Sequence, residues 1–394
     1  MPARFLICGL VVLVGCAQPQ PTPTTDATAQ SSDRPSPAAT SALPSPTLIA
    51  REGLAFERID QRFTTPALAY TTDGHALIWS SGAPNEGAQG ASNLWRHVPG
   101  SPEPELLYAL PNQDSNLMAL GGNGQDAYAF LEVSERLYQP GGWRLWLLPS
   151  PGTQPLVLDE ASTEGYLPLF GMDAEHVAWA TLHEVGGGRM SELRVADIAT
   201  GTVTTLMSRP LEEAVLQFPS IDDGRIVVSS TTVGPDNAGY EVDVYLLDLA
   251  MPGVERQLNG DQNAFYAAID GDTVVWQQPS GELNPLNGGP LAVHSLSSGR
   301  SRVIEFPSHD GLVIDHSVSG RWVTAQGANG PYTKLYLYDL EEDRAVLIDD
   351  LGEEIIDPPL VDMRPVVGGS IIAFVRGSNA PDAHLELMWG ELPD

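Results

Sequence analysis

The 394-residue chain carries 51 Asp and Glu against 20 Lys and Arg, a formal charge of −31 at pH 7, and only two cysteines. Such a field repels phosphate backbones and anionic head groups, which argues against nucleic acid as a partner and leaves membrane contact to a covalent lipid. A domain this long can bury enough surface to need no disulfides.

The amino terminus, Met1-Pro2-Ala3-Arg4, has one positive charge and leads into an apolar run from Phe5 to Val14, too short for a permanent bilayer span. The run closes on Leu13-Val14-Gly15-Cys16, whose order of apolar residues, small residue and Cys resembles the lipobox of bacterial lipoproteins. That resemblance implies a signal peptide over residues 1–15 and lipidation of Cys16, which becomes the mature amino terminus; Cys8 leaves with the signal. From Ala17 to Ile49 the composition is rich in Pro, Thr, Ser, Ala and Gln, with almost no large apolar side chains. This predicts a disordered tether within 16–50, reaching about 100 Å if extended at roughly 3.1 Å per residue. The expected location is extracytoplasmic, lipid-anchored to the cell membrane or outer membrane, and the expected state is a monomer.

Residues 51–394 repeat. The clearest unit is Ile269-Asp270-Gly271-Asp272-Thr273-Val274-Val275-Trp276, a tight acidic-glycine turn feeding a β-branched run that ends on an aromatic. Equivalent anchors are Trp79, Phe130, Trp179, Ser229, Trp276, Ala325 and Phe374, in steps of 51, 49, 50, 47, 49 and 49 residues. A fixed period of this length signals a propeller or solenoid. Second runs follow at Leu193–Ile198, Val242–Leu249, Leu291–Leu296 and Lys334–Leu340. Third runs follow at Thr202–Met207, Val254–Leu258, Arg302–Phe306 and Ala345–Ile348. With a short segment before each anchor, the unit has four strands, and the fold class is an all-β, seven-bladed β-propeller of four-stranded blades. After His384–Trp389 no room remains for a fourth strand in the last blade, so Leu54–Asp60 is predicted to pair there and cover the open edge.

No His-Glu-x-x-His pair, nucleophile elbow, phosphate loop or Cys cluster occurs. A propeller can still assemble a composite site, because loops entering the innermost strands converge at one mouth of the channel. One candidate per blade is placed there: Arg62, Asp114, Glu164, Gln217, Asn263, Asp315 and Arg364. Neighbours on a regular strand face opposite ways, so Asp315 and His316 are not expected to act on one atom. Asp236–Asp243 is oxygen-rich but lacks EF-hand spacing and reads as a hairpin loop, with calcium as the weaker reading and no other cofactor expected. The eight histidines read mostly as turn or surface groups, and Lys334, the sole lysine, as an exposed strand end. Trp79, Trp179 and Trp276 read as packing between sheets, whereas Trp143 and Trp146 must face opposite sides of one strand, leaving one of them accessible as a carbohydrate platform.

Segments such as Pro219–Val228, Asp243–Leu249 and Lys334–Leu340 resemble the repeats of TolB-like and WD40-like bacterial propellers. The resemblance covers about 54–394 and implies a protein- or ligand-binding platform; in peptidase relatives the propeller gates a hydrolase domain. Seven blades depart from the six associated with TolB, so its envelope partners are not carried over. The expectation is a non-catalytic binding module for an envelope protein, peptide or glycan. The alternatives are a glycan-acting lyase or hydrolase with a composite site at the channel mouth, and a passive envelope spacer. Buried carboxylates with Arg or His in the mouth would favour the enzyme; a dry apolar groove on the rim would favour a protein partner.

Overall fold

The computed structural model describes residues 54, 56–58, 69–81, 91–111, 115–133, 142–161, 167–233, 240–260, 262–279, 289–304, 306, 313–329, 332–350, 365–377 and 385–393. Each repeat is one four-stranded antiparallel sheet, and no helix occurs among the described residues. A two-residue strand, β1 (Glu57–Arg58), precedes the first full blade. Blade 1 contains β2 (Tyr70–Thr72), β3 (Leu77–Ser81), β4 (Asn93–His97) and β5 (Glu105–Ala109). Blade 2 contains β6 (Asn116–Gly122), β7 (Tyr128–Val133), β8 (Trp143–Leu148) and β9 (Leu156–Ala161). Blade 3 contains β10 (Phe170–Met172), β11 (His176–Val185), β12 (Gly188–Asp197) and β13 (Val203–Pro210). Blade 4 contains β14 (Val215–Asp222), β15 (Arg225–Val233), β16 (Tyr240–Asp248) and β17 (Glu255–Gln257). Blade 5 contains β18 (Phe265–Asp270), β19 (Thr273–Gln277), β20 (Leu291–Ser295) and β21 (Arg300–Ile304). Blade 6 contains β22 (Val313–Ser319), β23 (Trp322–Asn329), β24 (Tyr332–Asp339) and β25 (Arg344–Asp350). Blade 7 contains β26 (Val366–Gly368), β27 (Ile371–Gly377) and β28 (Leu385–Glu391).

Its fourth strand is β1. Glu57 pairs with Trp389 and Arg58 with Met388, so blade 7 is built from both ends of the sheet-forming chain. Phe56 meets Phe374 edge-on at 5.1 Å, and Leu54 and Phe56 join a core with Trp322, Ile372 and Leu392. The predicted closure is present, carried among the described residues of Leu54–Asp60 by Glu57 and Arg58.

All seven anchors lie on the second strand of their blades and are 2% exposed or less. They do not end those strands, however. β11 runs six residues past Trp179 and β15 four past Ser229, because each continues into a long hairpin ladder. Among the described residues, buried side chains form seven clusters, each shared by two neighbouring blades; Val227 and Val244 of blade 4, for example, pack with Ala267, Ile269 and Trp276 of blade 5. At about 1.5–3 kcal/mol for each large apolar side chain removed from water, these layers hold the ring laterally.

The first strands contact one another in a closed ring around the channel. At their ends the acidic-glycine turns join successive blades. Asp222 Oδ2 accepts from the Gly271 N–H at 2.8 Å, Asp270 Oδ2 from Gly320 at 2.5 Å, and Ser319 Oγ from Gly369 at 2.9 Å. Where blade 7 meets blade 1 the backbones touch directly: a Cβ on Gly369, whose φ is +53°, would stand 2.5 Å from the Gly74 carbonyl oxygen. Only glycine permits that approach.

Candidate functional site

The inner strands β14 and β18 are not regular. Each has a shift in register, between Gln217 and Ser220 in β14 and between Phe265 and Ala268 in β18. Within each bulge one large residue takes a left-handed backbone, Phe218 at φ 53° and Tyr266 at φ 56°. Such a conformation costs roughly 1–3 kcal/mol for a side chain of this kind. The other two described non-glycine residues with positive φ are Asp223 and Asp343, whose short polar side chains tolerate it in turns. Phe218 and Tyr266 meet edge to face, with ring centroids 4.3 Å apart, across the boundary of blades 4 and 5. An aromatic pair contributes about 0.5–1.5 kcal/mol beyond burial, less than the two strained residues cost together. Retained strain on strands bordering a channel makes these two residues candidates for a functional site.

Amide side chains neighbour this pair in the sequence. Gln217 precedes Phe218 and its Oε1 accepts from Thr231 Oγ1 at 3.3 Å. Gln278 Nε2 donates to Gln262 Oε1 at 3.0 Å. Asn263 lies two residues before β18, where its Oδ1 accepts from the Val242 N–H at 2.7 Å and so holds the start of β16. Asp315 is the third residue of β22, half-buried and paired across to Gln326. Of the seven channel-mouth candidates, Gln217 adjoins the aromatic pair, Asn263 is engaged in capping a strand, and Asp315 stands one blade further on. Arg62, Asp114, Glu164 and Arg364 lie outside the described residues.

Carboxylates stand level with the ends of these strands, at one end on the third strand of the blade. Register places Glu241 and Asp243 of β16 level with the start of β14. Burial, then the charge of Glu241, pushes the Asp243 carboxyl up. At the opposite mouth burial pushes Asp222 up, against the Gly271 hydrogen bond, with Asp270 and Asp173 adding repulsion.

A second polar cluster sits between blades 2 and 3. Asp159, 8% exposed on the outermost strand β9, receives three donors on Oδ2: Trp179 Nε1 at 2.8 Å, His183 Nε2 at 3.4 Å and an Arg194 guanidinium nitrogen at 3.4 Å. Arg194 also clasps Glu192, at 2.9 and 2.7 Å. This cluster belongs to the wall between blades and lies away from the inner strands.

Several expectations are corrected. Of the six described histidines, His294 and His316 are buried, which departs from the turn or surface placement expected, whereas His75 is exposed in a turn and His176 and His183 stand part-exposed beside Asp173 and Asp159. His316 Nε2 lies 3.3 Å from the Val275 carbonyl of blade 5, whereas Asp315 pairs within blade 6. Lys334 is inside β24, half-buried, and not at an exposed strand end. Trp143 is buried; Trp146 is the more accessible, but its Nε1 donates to Glu132 Oε2 at 2.8 Å and its ring stacks on Phe130, so it offers no open platform. In the calcium candidate, residues 236–239 lie outside the described residues and the remainder begins β16. Among the described residues no three His, Cys, Asp or Glu side chains are grouped to hold a metal ion.

The reading from sequence missed Phe218 and Tyr266. A signal existed, since each stands four residues before the acid of its inner turn, Asp222 and Asp270.

No family model and no curated protein matches this chain. Solved propellers do. The β-propeller domain of the Trilobed protease from Pyrococcus furiosus, described as having an open velcro topology, matches at 12% identity and TM-score 0.57, over 85% of this chain and 99% of its own. An oligogalacturonate lyase in complex with manganese matches at 13% and 0.55, over 89% and 99%. TolB from Acinetobacter baumannii matches at 13% and 0.42, over 64% of this chain; the present chain spans 58% of that TolB. At 12–13% identity the matches to the protease propeller and to the lyase show the fold alone, a β-propeller found in proteins of different activity.

Proposed function

We propose that this protein is a lipid-anchored, extracytoplasmic binding propeller without catalysis of its own, whose ligand docks where the inner strands of blades 4 to 6 begin. The strained contact of Phe218 with Tyr266 carries this reading, because lateral packing gives no reason to keep two aromatic residues in left-handed bulges on adjacent inner strands. Gln217 and the Gln262–Gln278 pair supply hydrogen-bonding groups of the kind that orient a ligand on an aromatic surface. The resemblance of Leu13-Val14-Gly15-Cys16 to a lipobox supports the anchor.

The test is a thermal-shift screen of the soluble form from residue 51 against calcium, neutral and acidic oligosaccharides, and peptides, repeated with Gln217→Ala and Tyr266→Gly. A ligand that binds only the folded state raises the melting temperature. The reading expects at least one class to do so and to lose its effect in both variants; a shift untouched by either substitution would sink it.

A glycan-acting lyase or hydrolase is the second reading, favoured by His183 beside the buried Asp159 with Arg194 on the same oxygen. It is subordinate, because that carboxylate already takes three donors on Oδ2 and lies on an outer strand. Turnover of an oligosaccharide that disappears in Asp159→Asn, with folding retained, would promote it.

A further inference from the structure

Resting on that binding reading, we infer that the ligand at the Phe218–Tyr266 pair is an extended basic segment of a partner protein. The first 50 residues hold two acids and two bases, so the whole charge of −31 falls on the remainder. Blades 4 and 5, residues 215–304, contain eleven acids against four bases. None of the four bases is on an inner strand: Arg225 is at the inner turn, Arg256 on β17, and Arg300 and Arg302 on β21. The aromatic pair therefore stands on strands without positive charge, with Glu241 and Asp243 level with one end and Asp222 and Asp270 at the other.

Three consequences identify the ligand. Lys or Arg side chains gain from the faces of half-buried aromatic rings, most where water is partly excluded. A field of one sign over a concave mouth concentrates ligands of the opposite sign and rejects those of its own, which disfavours uronate oligosaccharides and acidic peptides. Carboxamides can both donate to and accept from an extended backbone, whose peptide groups need both. Neutral sugars would use the rings and amides but gain nothing from the charge.

The experiment measures fluorescence anisotropy of a labelled Gly-Ser peptide with interspersed Lys and Arg, its Glu-substituted counterpart, and a labelled neutral cello-oligosaccharide, against the soluble propeller. The basic peptide is expected to bind and the acidic one not. Raising salt from about 0.05 to about 0.5 M should weaken binding roughly tenfold or more, as screening shortens the reach of the field. Glu241→Gln, which leaves the rings intact, should weaken it several-fold. Tyr266→Gly should abolish it while the melting temperature stays level or rises, because glycine relieves the left-handed strain; a merely structural ring would lower the melting temperature instead. Tyr266→Asn, also tolerant of positive φ, guards against a folding artefact. Tyr266-dependent binding of the oligosaccharide without the basic peptide would overturn this inference and leave the binding site standing. Peptide binding indifferent to Tyr266→Gly and to Phe218→Gly would overturn both.

Discussion

Asp173 Oδ2 accepts a hydrogen bond of 2.9 Å from the backbone N–H of Gly224, 51 residues further along at the inner turn of the next blade. Its other oxygen accepts from the N–H groups of Glu175 and His176 at 2.9 and 2.7 Å. One carboxylate thus closes its own hairpin and fastens the neighbouring one. A blade earlier Asn123 does the same with reversed polarity, donating from Nδ2 to the Ala174 carbonyl at 3.1 Å.

Asp173→Ala removes the acceptor for three N–H groups at a position 9% exposed. A loss of about 3 kcal/mol is expected in urea unfolding, from charge-assisted bonds and donors left unmatched. Asp173→Asn keeps an acceptor and should cost about 1 kcal/mol. Parental stability in Asp173→Asn would contradict the coupling between blades, since one amide oxygen cannot accept for both hairpins.

At Asp222 the surroundings disfavour the carboxylate. Burial, then repulsion from Asp270, raises its folded pKa above the unfolded value of roughly 3.9, against the Gly271 hydrogen bond. The folded state therefore binds the proton more tightly. Its ionisation lowers stability as pH rises from the unfolded to the folded pKa, and the deficit persists at neutral pH. Asp222→Asn, which retains an acceptor for Gly271, should match or exceed the parent at pH 7 and lose that advantage near pH 3. A stability gain confined to acid pH would refute this sign.

Gly369 and Gly253 both have positive φ but different surroundings. A Cβ at Gly253 meets nothing within 4 Å, whereas at Gly369 it meets the Gly74 backbone. Gly253→Ala should cost about 1 kcal/mol from backbone strain alone. Gly369→Ala should cost at least about 3 kcal/mol, because blades 7 and 1 must separate. Calorimetric melting of both variants checks the difference.

Asp159→Ala leaves Arg194, His183 and the Trp179 indole without their shared acceptor, and a loss of about 3–5 kcal/mol is expected. Replacing Asp159 and Arg194 together should cost less than the sum of the single changes. Additive losses in a double-mutant cycle would show that the clasp is not a unit.

Phe56→Ala should cost about 2 kcal/mol, since its ring is partly buried against Phe374. Deleting residues 51–60 should destabilise far more, by exposing the edge of β28. Unchanged thermal unfolding of the deletion would count against the closure.

Much of the fold was legible because a blade is a local object. The anchors from Trp79 to Phe374 announce the second strand by size and spacing, and a run such as Val242–Leu249 finds β16 to within two residues. The length of β11 beyond Trp179 was not legible, since it depends on how far β12 continues to pair. The Asp-Gly turns were visible as hairpins, but their work between blades depends on a second carboxylate oxygen meeting a residue about fifty positions away. The Phe218 and Tyr266 bulges were hidden for a related reason: a bulge is decided by the register of the opposing strand, which side-chain type does not specify. His183 read as a surface group because nothing near it in sequence reveals Asp159.

The two-residue strand β1 has a mechanical meaning as well. The chain before Leu54 joins the ring through β1, at the rim of blade 7, so tension on that end is applied to the shortest ladder among the described residues. An outward pull separates the Glu57 and Arg58 pairings one after the other. The remaining six blades, each formed by four consecutive strands, carry none of that force until β1 has parted. Blade 7 is therefore a fuse: it opens first under traction and exposes β28, while the inner strands around Phe218 and Tyr266 stay in register.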